Sequence, residues 1–142
     1  MTAPELVQAL YGLMADDDYE GAAKLLAPSF VHDSKVSGEI DAQRWLAAEQ
    51  VLHEAIPDLA FDIRDVAGDE YSATGTVTVS GTHTGRLLLP ARGLDIAPTG
   101  RKVRLPPEPF QARAEDGLLV WLHIDHPPNS GLPELLRQLG VE

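Results

Sequence analysis

One strand-like stretch, residues 117–125, constrains the fold of this chain more than any other part of the sequence. It follows a turn at Glu115-Asp116-Gly117 and stops before Pro127-Pro128. Side chains alternate along a strand, so the sequence predicts two faces: Leu118, Val120, Leu122 and Ile124 on one, and Leu119, Trp121, His123 and Asp125 on the other. A strand that is apolar on both faces is buried on both. The stretch therefore requires a second layer of structure over its sheet.

The second face of this strand ends in two polar side chains, His123 and Asp125, beside Trp121. A carboxylate at the end of a doubly buried strand is expected at the rim or the depth of an apolar pocket, where general acid–base chemistry is commonly found. Asp125 also precedes the turn at 126–128, and Asp is a frequent turn residue. The residues alone leave the catalytic and the structural interpretation open.

Length and charge exclude several classes of protein. The 142 residues suit one domain, 1–142. A net charge of −11 disfavours nucleic acid and anionic membranes, which both require clustered Lys and Arg. The chain contains no Cys, so disulfides and thiolate catalysis are absent. Without an apolar run of membrane-spanning length or a signal-like start, we expect a cytoplasmic protein.

The first third of the chain has helical spacing. Thr2-Ala3-Pro4-Glu5 predicts a capping box at the start of a helix, with Leu6, Leu10 and Met14 on its buried side and Tyr11 at the edge. Residues 16–18 cap a short second helix, and Asp41 caps a third that runs to about Ile56 with Trp45 pointing inward.

After Pro57 the hydrophobic period changes to two. Strands are predicted around residues 59–64, 71–80 and 103–114, the last interrupted at Pro106-Pro107-Glu108-Pro109 because Pro cannot donate to a ladder. Residues 87–98 read as a mobile apolar flap, and residues 132–139 as a short terminal helix. Helices first and antiparallel strands later indicate an α+β domain, with the helices on the concave face of a curved sheet. Such a sheet encloses a cone whose open end is a natural ligand site.

Gly81-Thr82-His83-Thr84-Gly85, followed by Pro98-Thr99-Gly100-Arg101, resembles the SnoaL-like polyketide and ester cyclases of the nuclear-transport-factor-2-like (NTF2-like, α+β barrel) superfamily. The resemblance continues at Ala55-Ile56-Pro57-Asp58-Leu59, at Phe110 with Asp116-Gly117, and at residues 135–140. It covers nearly the whole chain and implies a cone-shaped α+β fold.

The resemblance also implies an activity. Cyclases of this family close a polyketide ring by intramolecular aldol addition without metal or cofactor, using an Asp near the end of the last long strand and a pocket His. Asp125 and His83 are the matching residues here, with His123 as a second His, although the family Asp tends to lie two positions further on, where this chain has Pro127. A shift of two keeps the strand face. The segment 89–97 is also longer than the family's usual link.

Further residues are candidates for binding a small apolar or aromatic, polyketide-like molecule: Tyr11, His32, Trp45, Phe110 and Trp121. Each is also a plausible core residue. His53 and His126 are expected at the surface. A metal set of His123, Asp125 and His126 would need ligands from elsewhere, so we expect neither a metal nor a cofactor.

Two other functions stay open beside the cyclase, because many functions share one fold. One is a hydrolase or isomerase that uses Asp-activated water, and the other is a non-catalytic protein that binds small apolar molecules. The aliphatic face of the strand at 118–124 further predicts a homodimer or a dimer of dimers.

Overall fold

The computed structural model describes residues 1–141 and shows an α+β fold in which helices cover one face of a curved sheet. Helix α1 spans Ala3–Ala15 and α2 spans Tyr19–Ala23. The capping box of α1 is formed: the Thr2 amide donates to Glu5 Oε1 at 2.9 Å, and the Glu5 amide donates to Thr2 Oγ1 at 3.3 Å. The local signals for this helix therefore predicted its start correctly.

Helix α3 spans Ala42–Ala55. In the chain it follows two strands at one edge of the sheet and precedes the remaining strands. Strands β1 (Leu26–Ser34) and β2 (Gly38–Asp41) precede it. The Asp41 carboxylate accepts from the Arg44 amide at 2.9 Å, as expected for a helix cap. The helix ends just before Pro57, again as the sequence predicts.

Five further strands complete this sheet. They are β3 (Ala60–Gly68), β4 (Ser72–Thr82), β7 (Lys102–Arg104), β8 (Glu108–Glu115) and β9 (Leu118–Ile124). The strand order is β2-β1-β9-β8-β4-β3, with β7 paired to β4 beyond the end of β8. All pairs are antiparallel except β1 with β9, which run parallel. The sheet is therefore mixed, where the sequence predicted it to be antiparallel.

Residues 87–98, expected to be a mobile flap, form a separate hairpin. Strands β5 (Leu87–Leu89) and β6 (Leu94–Ile96) pair across a short 3₁₀ turn, and Arg86 pairs with Asp95 at its base. Leu87 is 1% exposed and Leu88 is 41% exposed, so the hairpin buries only part of its apolar surface.

A fourth helix, α4 (Gly131–Gln138), packs where the hairpin and β7 meet. Its last residue is held on β7 by two hydrogen bonds: Arg104 N donates to Gln138 Oε1 at 2.9 Å, and Gln138 Nε2 donates to Arg104 O at 2.8 Å. None of the helices between residues 1 and 141 is both long enough and apolar enough to cross a membrane.

The buried side chains form two clusters. The larger lies between α1, α2, α3 and the concave face of the sheet, and its fully enclosed members include Leu6, Leu10, Met14, Phe30 and Leu122. The smaller joins the end of α3, the hairpin, β7 and α4, around Ile56, Leu87, Val103, Leu135 and Leu139. The cavity described below lies where the two clusters meet.

Strand β9 contains a bulge that the sequence pattern did not reveal. In its pairing with β8, Leu119 lies opposite Ala114 and Trp121 lies opposite Arg113, so Val120 is an extra residue without a partner on β8. One extra residue reverses the face of every side chain beyond it.

The bulge corrects the predicted faces of this strand. The side chains directed to the core are Leu119, Leu122 and Ile124, at 0%, 0% and 6% exposure. Trp121 and His123 lie on the opposite, outer face of the sheet. The aliphatic patch predicted from Leu118, Val120, Leu122 and Ile124 is therefore not one surface, because two of its four members are buried in the monomer. The homodimer or dimer of dimers stays a prediction without that patch as its interface.

Candidate active site

A cavity of about 250 Å³ lies between α3, the concave face of the sheet, the β5–β6 hairpin and α4. Most of its walls are apolar, and they come from every part of the chain: Ile40, Val51, Leu52, Phe61, Val77, Val79, Leu87, Leu89, Leu105, Ile124, Leu132 and Leu135. Two aromatic contacts shape it. Tyr11 packs against Phe61 with ring centroids 5.0 Å apart, and His32 stacks on Trp45 at 5.0 Å with an angle of 11° between the planes.

Glu49 brings a carboxyl group from α3 into this apolar wall, one helical turn after Trp45. Burial raises its pKa from 4.5 to about 7, and the nearby charge of Glu108 adds to the rise. The Tyr19 hydroxyl donates to the Glu49 backbone carbonyl at 3.3 Å and fixes this turn of the helix. Near neutral pH, Glu49 is therefore present in both its charged and its neutral form.

Glu108 lies at the first position of β8, and its side chain is directed inward. It is 5% exposed and hydrogen-bonded to His126 Nδ1, which comes from the segment after β9. Both residues line the cavity. A buried carboxylate is stable only with such a partner, so the His126 contact explains how Glu108 can remain in this wall.

Tyr11 and His32 complete the polar part of the wall. Burial raises the pKa of the Tyr11 hydroxyl well above its ordinary value, and the charges of Glu49 and Glu108 raise it further. Burial lowers the pKa of His32 to about 4, and the nearby His126 adds to the effect. Near pH 7 both side chains are therefore neutral.

The chemistry that follows from this arrangement is proton transfer. Across residues 1–141, neither Lys nor Arg lines the cavity, and no group of three or more His, Cys, Asp or Glu side chains could hold a metal ion. A carboxyl group with a pKa near 7 in an apolar cavity can accept and return a proton at physiological pH.

Three of the residues predicted to bind a ligand lie in this cavity: Tyr11, His32 and Trp45. Phe110 does not. It is 2% exposed and belongs to the larger core, where its ring packs directly against the backbone of Gly75.

Asp125, His123 and Trp121 are not in the cavity, which corrects their predicted location. The bulge at Val120 places Trp121 and His123 on the outer face, where their rings stack 5.7 Å apart. His123 Nδ1 donates to Asp33 at 3.1 Å, and Asp125 is exposed beside a shallow polar groove on the same side. The carboxylate at the end of the buried strand is thus in contact with water.

His83 is also separate from the cavity. It is fully buried at the end of β4, where its Nδ1 accepts from the Thr99 amide at 3.2 Å and bonds the Thr99 hydroxyl at 2.9 Å. These bonds attach the segment before β7 to β4. The structure therefore gives His83 a structural contact and does not bring it together with Asp125 or His123.

Three titratable residues of the cavity wall were not predicted from the sequence: Glu49, Glu108 and His126. Glu49 is four residues after the inward-facing Trp45, and Glu108 is two residues before the inward-facing Phe110, so both share a face with a predicted core residue. His126 and His53, expected at the surface, are both largely buried; His53 Nδ1 bonds the Tyr19 hydroxyl at 2.9 Å. Assigning each charged residue to a face of its helix or strand would have identified Glu49 and Glu108 from the sequence.

The curved sheet, the N-terminal helices on its concave face and the enclosed cavity define a cone-shaped α+β protein of the NTF2-like class. The chain belongs to the SnoaL-like polyketide cyclase family, whose family model matches residues 5–117. No curated protein sequence is significantly similar to the chain.

Solved structures agree with this fold. AclR from Streptomyces galilaeus, provisionally assigned as a hydroxylase, is 24% identical with a TM-score of 0.75 over 96% of this chain and 79% of its own. IdmH from Streptomyces antibioticus, provisionally assigned as a polyketide cyclase, is 22% identical with a TM-score of 0.75 over 98% and 99%. An LEH-like epoxide hydrolase from M. tuberculosis is 13% identical with a TM-score of 0.68 over 96% and 90%. Sequence identities this low establish a shared fold alone. The reaction has to be inferred from the residues that line the cavity.

Proposed function

We propose that this protein closes a ring in a small, polyketide-like molecule by intramolecular aldol addition, without a cofactor. Membership of the SnoaL-like polyketide cyclase family supports the substrate class. The observation that carries the reaction type is Glu49, a carboxyl group in an apolar cavity with its pKa raised to about 7. The acid–base role thus moves from Asp125, which is in contact with water, to Glu49.

In the proposed reaction, ionised Glu49 takes a proton from a C–H group next to a carbonyl group of the substrate. The resulting enolate carbon attacks another carbonyl carbon of the same molecule, and a C–C bond forms. The electrons of that C=O bond become an alkoxide, which takes the proton back from neutral Glu49. The product is an isomer of the substrate, so no co-reactant is needed, and one carboxyl group acts as base and then as acid.

Glu108 and His126 support this role through charge. The negative charge of Glu108 helps to raise the pKa of Glu49, and Glu108 is itself hydrogen-bonded to His126 in the cavity wall. The walls contribute as well, because a cavity of about 250 Å³ forces a flexible chain into a folded shape. Holding reacting groups in such a near-attack geometry can be the larger part of the rate enhancement.

Hydrolysis is a second candidate, favoured by the presence of two carboxyl groups, Glu49 and Glu108, in one cavity. One could activate a water molecule while the other protonates the leaving oxygen. The fold shared with the M. tuberculosis epoxide hydrolase is compatible with this chemistry but shows the fold alone. Binding of a small apolar molecule without turnover is the third possibility.

One assay separates the three functions. The probe ortho-acetylphenylacetone closes by aldol addition to a six-membered ring and, after loss of water, gives a fluorescent naphthol; styrene oxide reports hydrolysis. We expect naphthol formation above the buffer rate. Epoxide opening without ring closure would favour the hydrolase, and saturable binding of both probes with neither reaction would favour the binding protein.

The pH profile tests the identity of the base. Because Glu49 must be ionised in the free enzyme, kcat/KM should fall about tenfold for each pH unit below its pKa of about 7 and level off above it. Initial rates of naphthol formation, followed by fluorescence at a series of pH values between about 5 and 8.5, give this profile. A profile that levels off near the ordinary Glu value would contradict the assignment.

A further inference from the structure

His32 occupies a fixed position in the cavity wall. It lies on β1, is 6% exposed, and stacks flat on the Trp45 indole at 5.0 Å and 11°. Stacking of this kind fixes the plane of the ring. The contacts of each nitrogen then decide which one a bound molecule can reach.

The two nitrogens of His32 have different surroundings. Nδ1 is enclosed and has no hydrogen-bond partner among residues 1–141. Nε2 has no hydrogen-bond partner among these residues either, yet it is not an enclosed atom, and the ring lines the cavity. The nitrogen that a bound molecule can reach is therefore Nε2.

The enclosed nitrogen also determines where the proton lies. A neutral imidazole carries one N–H and one bare nitrogen. In protein backbones a buried N–H without an acceptor is rarer than a buried C=O without a donor, and we apply the same order to the two nitrogens of this imidazole. Nδ1 is consequently the bare nitrogen, and the proton lies on Nε2, directed at the cavity.

The surrounding charges keep this state neutral. Burial lowers the pKa of His32 to about 4, and the neighbouring His126 and His123 lower it further, while Asp33 acts in the opposite direction. Near pH 7 the ring therefore presents a single neutral N–H donor. A neutral N–H in an apolar wall can form a hydrogen bond to an oxygen atom. It stabilises a permanent anion less strongly than a cationic donor would.

We infer that His32 is the hydrogen-bond donor that holds a carbonyl oxygen of the ligand through Nε2–H. This inference deepens the proposed function and rests on it in one respect: the held oxygen is the one that gains negative charge when the neighbouring C–H is deprotonated. His32 thus fixes which carbonyl group of the substrate becomes the enolate. The ligand must offer an oxygen acceptor at this position.

The first experiment measures the tautomer of His32 in the ligand-free protein. Long-range ¹H–¹⁵N correlation spectra identify the protonated nitrogen of each His, and the signal lost in His32→Gln assigns His32. We expect Nε2–H for His32 at about pH 7 and still at about pH 5.5. His123 is the internal control, because its Nδ1 lies 3.1 Å from the Asp33 carboxyl oxygen and a proton is expected on that nitrogen. A protonated Nδ1 on His32, or a doubly protonated ring at the lower pH, would overturn the inference.

The second experiment measures what the donor recognises. Acetylnaphthalene and isopropenylnaphthalene have the same shape and differ only in a carbonyl oxygen against a methylene group. Calorimetry gives the ratio of their Kd values in the wild-type protein and in His32→Phe, whose ring can keep the stacking on Trp45. The ratio should shift against the ketone by roughly threefold to tenfold in the variant. An unchanged ratio in a folded variant contradicts the inference.

Neither measurement requires turnover, so the two proposals can fail separately. The expected tautomer and binding ratio without any ring closure would reject the aldol function and retain the oxygen site. Ring closure with the wrong tautomer would do the reverse.

Discussion

The two faces of the sheet carry the same kinds of side chain in different surroundings. On the concave face, His32 stacks on Trp45 and Glu108 bonds a second His, with His32 and Glu108 at 6% and 5% exposure. On the outer face, His123 stacks on Trp121 and bonds Asp33, with the His123 and Asp33 side chains at 29% and 34% exposure.

The difference between the faces shows what makes a His or a carboxylate reactive. Imidazole, indole and carboxylate groups are found together on both sides, so residue type alone does not distinguish the two faces. Removal from water does: the apolar wall raises the pKa of Glu49 to about 7 and lowers that of His32 to about 4. Only the concave face combines these shifted groups with a space for a ligand.

The largest effect is expected on turnover. Glu49→Gln should lower kcat for ring closure by roughly 10²–10⁴-fold, because the amide cannot accept the proton. Asp125→Asn is the matched control on the outer face and should stay within about threefold of the wild type. Rates of naphthol formation measure both. A larger loss in Asp125→Asn than in Glu49→Gln would return the acid–base role to the outer face.

Two neighbouring residues on β9 are expected to differ in how much their side chains contribute to stability. Leu122→Ala removes a fully enclosed side chain and should lower the free energy of unfolding by about 2–5 kcal/mol. His123→Ala removes a partly exposed ion pair and should cost less than about 1 kcal/mol. Urea denaturation followed by circular dichroism tests the pair. Similar costs for both variants would contradict the placement of Leu122 on the concave face and His123 on the outer face.

A smaller effect is expected on the pH dependence of stability. Because its pKa rises from 4.5 to about 7 on folding, Glu49 is bound to a proton in the native state over a range where it is ionised in the unfolded state. Its contribution to stability is present below pH 4.5 and is lost as pH rises through 7, by up to about 3 kcal/mol.

Glu49→Gln should therefore match the wild type near pH 4.5 and exceed its stability at pH 8. His32, whose pKa falls to about 4, has the opposite pH dependence, but it is present in both proteins and cancels in their difference. Thermal or urea unfolding across this range gives the difference. A constant difference at all pH values would show that Glu49 is not held in an apolar environment.

Local signals in the sequence predicted the elements well. The Thr2 capping box, the Asp41 cap and the helix end before Pro57 depend on neighbours within a few residues, and all three are confirmed. Periodicity also placed Trp45 on an inward face and Tyr11 at the edge of one, and both residues line the cavity.

The remaining features depend on contacts between distant segments. The bulge at Val120 arises from pairing with β8, and a period of two read along one strand contains no sign of an extra residue. Glu108 follows two prolines and was read as part of an interruption, although the next residue, Pro109, faces outward and lets the strand begin there. The apolar surroundings of Glu49 require the hairpin and α4, which begin 38 and 82 residues further along the chain.

The contact between Gln138 and β7 has a consequence for solubility. The side-chain amide offers one donor and one acceptor to the Arg104 backbone, which is what a neighbouring strand would offer. At the end of the short edge strand β7, the backbone N–H and C=O of Arg104 are therefore both hydrogen-bonded to a side-chain amide, as they would be to the backbone of a neighbouring strand. Edge strands with free peptide groups recruit other chains and lead to aggregation, and here one side chain of the C-terminal helix occupies the place where a foreign strand would dock.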